Sequence, residues 1–286
     1  MNRSSVRFRQ AAPKVLRDLV GLRPSRSARL NGEVKVLPME DADSKPTASV
    51  YIDGFNLYRR LLERHPEHKW LDLEALADRV LSDYHVTSVS YFTAIIKALP
   101  GKDSSSPQRQ QAYLRALATS PRTQVYLGKF RIDPRIMPLH PTELDAAGVP
   151  MRVRVKKTEE KGSDVALASR LLIDAMKGEA DVFVVCTNDS DLVMPMRLVK
   201  EELGRDVGLL SPMEPKRSSN ELKQTGPIWH RQITPADLDA CQLPDELDDA
   251  QGTIRRPVKW ARNSEGPAEA EPSNRQPKPT GGVNTP

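Results

Sequence analysis

Four aspartates stand where apolar runs give way to polar turns. Asp53 ends "ASVYID", Asp189 and Asp191 follow "ADVFVVCTN", and Asp164 opens "DVALASRLLIDAMKG". Carboxylates gathered on one rim repel each other unless water or positive charge lies between them. A hard divalent cation is the usual remedy. Mg²⁺ or Mn²⁺ on such oxygen ligands keeps several waters, which suits a site that admits a phosphate and activates water. Taken singly, Asp164 and Asp191 have a plainer explanation. Each falls in the first turn of an expected helix, where unpaired amides and the helix dipole stabilise a carboxylate without metal. Asp53 has no equally obvious capping role. Asn56 and Asn188 accompany the acids, and Lys156, Lys157 and Lys161, just ahead of Asp164, are placed to hold a phosphate backbone.

The acids meet only if the chain folds so that these turns share an edge. Strand-like and helix-like segments alternate, the pattern of an α/β fold with a parallel sheet covered by helices on both faces. "ASVYID", "VTSVSYFTAII", "TQVYLGKF", "ADVFVVCTN" and "DVGLLSP" read as its strands, the last being the final confident one, and "MRVRVKK" as an edge strand. The stretch from Arg131 to Pro150 has no regular pattern. "FNLYRRLLERH", "LDLEALADRVLSDY", "PQRQQAYLRALATS" and "DLVMPMRLVKEELG" read as helices. A further helix begins at "GSDVALA", with Ser163 as the expected N-cap and Gly178 as the expected C-cap. In an open parallel sheet, ligands bind outside the carboxyl ends of the strands, where Asp53 and Asp189 fall.

Composition sets the limits around this core. The chain has 286 residues, a formal net charge of +5 and 38% hydrophobic residues, low enough that part of the length is not expected to pack. Residues 1–47 carry a basic leader, with eight Arg or Lys and one acid, Asp18, before residue 31, expected to be disordered. Residues 263–286 have the Pro, Gly, Glu and Ser composition of an unfolded tail. No apolar run suggests a membrane span, and Cys186 and Cys241 do not suggest a disulfide framework, so a cytoplasmic location is expected. The five histidines are scattered, and no metal role is expected of His65 and His68. "RRPVKWARN" mixes cations with Trp260 but reads as an ordinary solvated segment.

"VYIDGFNLY" (50–58), "KGSDVALA" (161–168) and "NDSDL" (188–192), with the spacing between them, resemble the NYN domain, a branch of the PIN-like metal-dependent nuclease superfamily. The resemblance spans residues 48–225, with 226–262 as an extension expected to pack on that domain. It implies a Rossmann-like sheet with a Mg or Mn site that hydrolyses RNA, with Asp53, Asp164, Asp189 and Asp191 as ligands and catalytic acids. Asn56 and Asn188 would be neighbours on the substrate side. Where many members carry an acid six residues after the equivalent of Asp164, this chain has Arg170. Either the site loses a ligand there or it acquires a cation that faces a phosphate. "RIMPLHP" (135–141) and "QLPDELDDAQGTIRRPVKW" (242–260) resemble a longer bacterial subgroup, in which some proteins carry the name of NADH-dependent hydroxylases of a succinoylated hydroxypyridine. The chain has no G-x-G-x-x-G turn or other nucleotide fingerprint to support NADH. A module that binds RNA or protein without cutting, and a homo-oligomer, are the remaining expectations.

Overall fold

The structure, a computed structural model, describes residues 45–98 and 103–261. The tail from residue 263, and the leader up to residue 44, lie outside them. Seven strands form one sheet: β1 (Thr47–Asp53), β2 (His85–Ala94), β3 (Thr123–Pro138), β4 (Arg152–Lys161), β5 (Val182–Cys186), β6 (Asp206–Ser211) and β7 (Trp229–Gln232). Their order is β4-β3-β2-β1-β5-β6-β7, all neighbours being parallel except β3 and β4. The direction of winding reverses between β1 and β5, because β2 and β3 are added on one side and β5 and β6 on the other. That reversal opens the crevice in which such sheets bind ligands.

The central strands are buried on both faces, so they need no alternation. Every residue of "VFVVC" in β5 is buried, and so are Ala48 to Asp53 in β1. One apolar layer combines Val50, Ile52 and Trp70 with α2 (Leu73–Val80) and α3 (Ser106–Leu117); the other packs α4 (Ser163–Lys177) through Leu167, Leu171 and Ala175 at helical spacing. A short α1 (Gly54–Leu57) runs into a π-helical turn, Tyr58–Leu62, and α5 (Val193–Arg197) into another, Leu198–Glu202.

Three local expectations are corrected. β3 does not stop at Phe130 but runs on to Pro138, paired with β4, so much of the supposed irregular stretch is a β-ribbon. The N-cap of α4 is Gly162, not Ser163: the chain turns there at φ 96°, a left-handed conformation that favours glycine, and Ser163 is the first helical residue. Gly178 caps the other end at φ 69°, as expected. A seventh strand, β7, follows "DVGLLSP". Residues beyond it also enter the core, with α6 (Asn220–Lys223) ahead of β7, α7 (Pro235–Ala240) after it, and Ile233, Leu238, Leu243 and Ile254 buried. The β8–β9 hairpin (Glu246–Asp249, Gly252–Arg255) is tied to α3 by the Arg115–Asp249 ion pair. Trp260 is half-buried in this layer, tilted against Trp70 and edge-on to Tyr113, both at 6.3 Å. Among the described residues, no helix is long and apolar enough to cross a membrane.

Gly54 sets how tightly α1 leaves β1. A Cβ at this position would lie 2.6 Å from the Phe92 carbonyl oxygen and 2.7 Å from the Tyr91 ring, so the helix start rests directly on β2. Gly54→Ala is expected to cost about 1–3 kcal/mol, as overpacking against backbone does, measured as a lower denaturant midpoint at unchanged m-value.

Candidate metal centre

The site grows out of strand register. Ile52 is opposite Cys186 in the β1–β5 ladder, which sets Asp53 level with Thr187 at the carboxyl end of both strands. The Thr187 hydroxyl donates to Asp53 Oδ2 at 3.0 Å and accepts the Asp189 backbone N–H at 3.0 Å. One buried hydroxyl therefore fixes two acids. Asp53 Oδ1 accepts the Asn56 N–H at 2.9 Å, making Asp53 the N-cap of α1, and Asp189 Oδ1 accepts the Asp191 N–H at 3.0 Å as the cap of the next turn. The capping roles thus belong to Asp53 and Asp189, whereas Asp164 and Asp191 occupy first turns with no cap bond of their own.

Asp53, Asp164 and Asp189 line one open cavity of about 520 Å³, together with Asn56, Arg59, Arg60, Glu63 and Glu160. Asp191 is exposed and does not line this cavity, but it is close enough to Asp164 to raise its pKa. The sequence reading missed Glu160, Arg59, Arg60 and Thr187. Glu160 stands three residues before Ser163, whose N–H it accepts at 3.0 Å. The arginines follow Asp53 by six and seven residues, within one helical segment.

Other expected members are placed elsewhere. Arg170 is nearly two turns along α4 and binds Asp174 at 2.8 Å, alongside the Tyr51 hydroxyl, so it neither joins the acids nor faces a phosphate there. Lys157 and Lys161 both pair with Glu159, on the strand face opposite Glu160, and Lys156 lines a separate groove with Arg154. Asn56 Oδ1 accepts the Asn188 N–H, and Asn188 Oδ1 accepts the Ser219 N–H at 2.7 Å. Both amides therefore stitch loops together. Among the described residues, the one trio of His, Cys, Asp or Glu whose donor atoms all lie within 4.8 Å of one another is His65, Glu67 and His68. Its rings already face carboxylates, His65 that of Glu67 and His68 that of Asp239. Among the described residues, no three of the four aspartates bring their donor atoms that close together.

The electrostatics fit cation binding. Burial pushes the Asp53 carboxyl up to about 6 from the ordinary 3.8; Asp164 and Asp189 push further, while the bonds from Asn56 and Thr187 oppose them. Asp164 is raised by burial first, then by Asp189, Glu160 and Asp191. A buried carboxylate facing its own kind is an acceptor in need of positive charge, so the donor set suits Mg²⁺ or Mn²⁺.

The sign of the pH effect follows. With its folded pKa above its unfolded value, Asp53 holds its proton more tightly in the folded chain, so stability falls as pH rises from about 4 through about 6. At neutral pH the ionised group costs on the order of 3 kcal/mol unless a cation offsets it. In chelator at neutral pH, Asp53→Asn is expected to melt a few degrees above wild type, and the gain should vanish near pH 4. Added Mn²⁺ should raise the melting temperature of wild type alone. A variant that melts lower at neutral pH, or responds to Mn²⁺ as wild type does, would contradict the assignment.

Residues 47–227 match the family model of the NYN domain. The 6-hydroxy-3-succinoylpyridine 3-monooxygenase HspA of Pseudomonas putida (strain DSM 28022 / S16) is 31% identical over 242 residues, covering 76% of this chain and 77% of the relative. A solved structure, described as a protein of unknown function VPA0982 from Vibrio parahaemolyticus RIMD 2210633, aligns with a TM-score of 0.44 and 16% identity over 71% of this chain and 99% of that one. Strands β1 to β6 and all four aspartates fall inside the matched segment, and the chain belongs to the NYN domain family of the PIN-like nuclease superfamily.

Proposed function

We propose that the chain is a metal-dependent ribonuclease that hydrolyses phosphodiester bonds in RNA. The observation that carries this reading is the acid cavity opening onto an arginine-lined groove. Arg59 and Arg60 line both, and the groove continues with Arg64 and Arg217. Acids alone would repel a polyanion; acids flanked by arginines hold a cation and a phosphate side by side.

Asp53, Asp164 and Asp189 would hold Mg²⁺ or Mn²⁺. A divalent cation there supplies charge neutralisation at the phosphoryl oxygens and makes water a better nucleophile at neutral pH. The chain's own groups do the rest. Thr187 and Asn56 keep the Asp53 carboxylate aimed into the cavity. Arg59 and Arg60 bind the phosphate flanking the scissile bond, and Asp191, near Asp164, orients the attacking water by accepting its hydrogen bond. Lys157 and Lys161 share Glu159 on the strand face opposite the cavity-lining Glu160.

A second reading comes from the relative named as a monooxygenase of 6-hydroxy-3-succinoylpyridine. Beside the acids lies a cavity of about 270 Å³ lined by Phe55, Tyr58, Tyr91 and Tyr113, with room for a single aromatic ring. Under this reading the chain would hydroxylate a hydroxypyridine with O₂ as the oxidant, one oxygen atom entering the substrate and the other leaving as water reduced by NADH.

One set of assays separates the two. With Mn²⁺ the purified chain should cleave a single-stranded oligoribonucleotide, chelator should stop it, and Asp164→Asn should lower the rate by about 100-fold or more. NADH absorbance should stay flat when the hydroxypyridine is added. No cleavage by wild type, or a falling NADH trace, would overturn the ribonuclease reading.

A further inference from the structure

Beyond Gly128, β3 leaves the sheet and pairs only with β4, from Lys129 opposite Lys161 to Pro138 opposite Arg152. Opposed residues of an antiparallel pair share a face, so the register sorts the side chains of this ribbon. One face has Phe130 and Glu160 at its root and then Lys156, Arg154 and Arg152 in succession. Its root is fixed to the acids: Glu160 lines their cavity, and Phe130 packs at 5.9 Å on Phe55, which lines it too. This face therefore runs outward from the site.

The two faces differ in charge pairing. On the far face Lys157 and Lys161 share Glu159, and Arg131 pairs with Asp133, leaving Lys129 and Arg135 over. On the site face Arg152, Arg154 and Lys156 are all exposed, and among the described residues no carboxylate pairs with any of them. Arg154 and Lys156 border a groove floored by Ile132 and Pro134. Alternate residues of a strand lie about 6.8 Å apart, comparable to the separation of consecutive phosphates along an extended single strand. The arginine groove lies toward the loop after β6, across the β1–β5 crevice from the ribbon, so cations flank the acids on two sides.

Resting on the reading of a phosphodiester strand as substrate, we propose that the β3–β4 ribbon is a nucleic-acid arm. Arg152, Arg154 and Lys156 track the backbone of single-stranded RNA leaving the acid cavity, and Phe130 with Phe55 supports a base at the root. A second copy of the chain is the poorer occupant. It would set unpaired cations against unpaired cations, whereas a polyanion neutralises them.

The test uses the full chain in chelator, where RNA is bound and not cut, with a labelled single-stranded RNA of about 20 nucleotides read by anisotropy. Arg152→Ser, Arg154→Ser and Lys156→Ser together should weaken binding about tenfold or more and flatten the plot of log affinity against log salt by about 2, as expected when three phosphates lose their cations. Phe130→Ala should weaken binding with the salt slope unchanged. Arg131→Ser, Lys157→Ser and Lys161→Ser together should leave affinity within about twofold. Equal weakening by both triples, or none by the first, overturns the arm. So does a wild-type dimer that the first triple converts to monomer with RNA affinity retained. Cleavage in Mn²⁺ is scored separately. Ribbon-dependent binding without cleavage rejects the ribonuclease and keeps the arm; cleavage with affinity untouched by the first triple rejects the arm and keeps the ribonuclease.

Discussion

The site depends on a single register: Ile52 opposite Cys186 in the β1–β5 ladder. A one-residue slip would turn every side chain of β1 to the other face. Asp53 would then leave the crevice, Thr187 would lose its partner, and the apolar residues of β1 would swap between the two core layers. Because the two layers hold side chains of different size, Val50 and Ile52 in one and Tyr51 in the other, that slip would misfit both. The packing of its apolar neighbours thus places the strand end that carries the acid, and the bonds from Thr187 and Asn56 aim the carboxylate.

What this packing holds in place is unfavourable in itself. Asp53 is nearly inaccessible and ionises reluctantly, with like charges beside it. Two hydrogen bonds offset part of the desolvation and leave the rest. The fold tolerates the remainder because Val50, Ile52, Val184 and their neighbours bury far more apolar surface than one carboxylate costs. The orphaned Oδ1 of Asp174 is a second such debt, on the other face, where Arg170 and Tyr51 satisfy only Oδ2.

The strands were legible because β1, β2, β5 and β6 are runs of apolar and β-branched residues with turn residues after them. The cluster of Asp53, Asp164 and Asp189 was legible because the open-sheet rule needs only strand ends. What escaped the sequence was direction. Lys156, Lys157 and Lys161 are close to Asp164 along the chain, but alternation sends Lys157 and Lys161 to one face and Lys156 to the other. Arg170 lies on the correct helix, yet nearly two turns carry it to Asp174. Asp164 and Asp191 do occupy first turns, whereas the capping role of Asp53 was not legible because an acid at a strand end shows it only once φ and ψ are known. β7 was missed since "WHRQ" is short and polar, and it is a strand only because the edge of β6 was open to it.

Gly128 joins features that otherwise look separate. A methyl group there would lie 2.5 Å from Glu160 Oε1, 2.9 Å from the Lys161 carbonyl oxygen and 3.2 Å from the Ser163 nitrogen. The exit of β3 from the sheet, a carboxylate of the acid cavity and the first amide of α4 therefore crowd onto one point. The bearing of the ribbon and the charge of the cavity are coupled variables. Neither can be retuned by substitution at the root without disturbing the other, so the outer rungs are where the length and side chains of the ribbon can change with the site left alone.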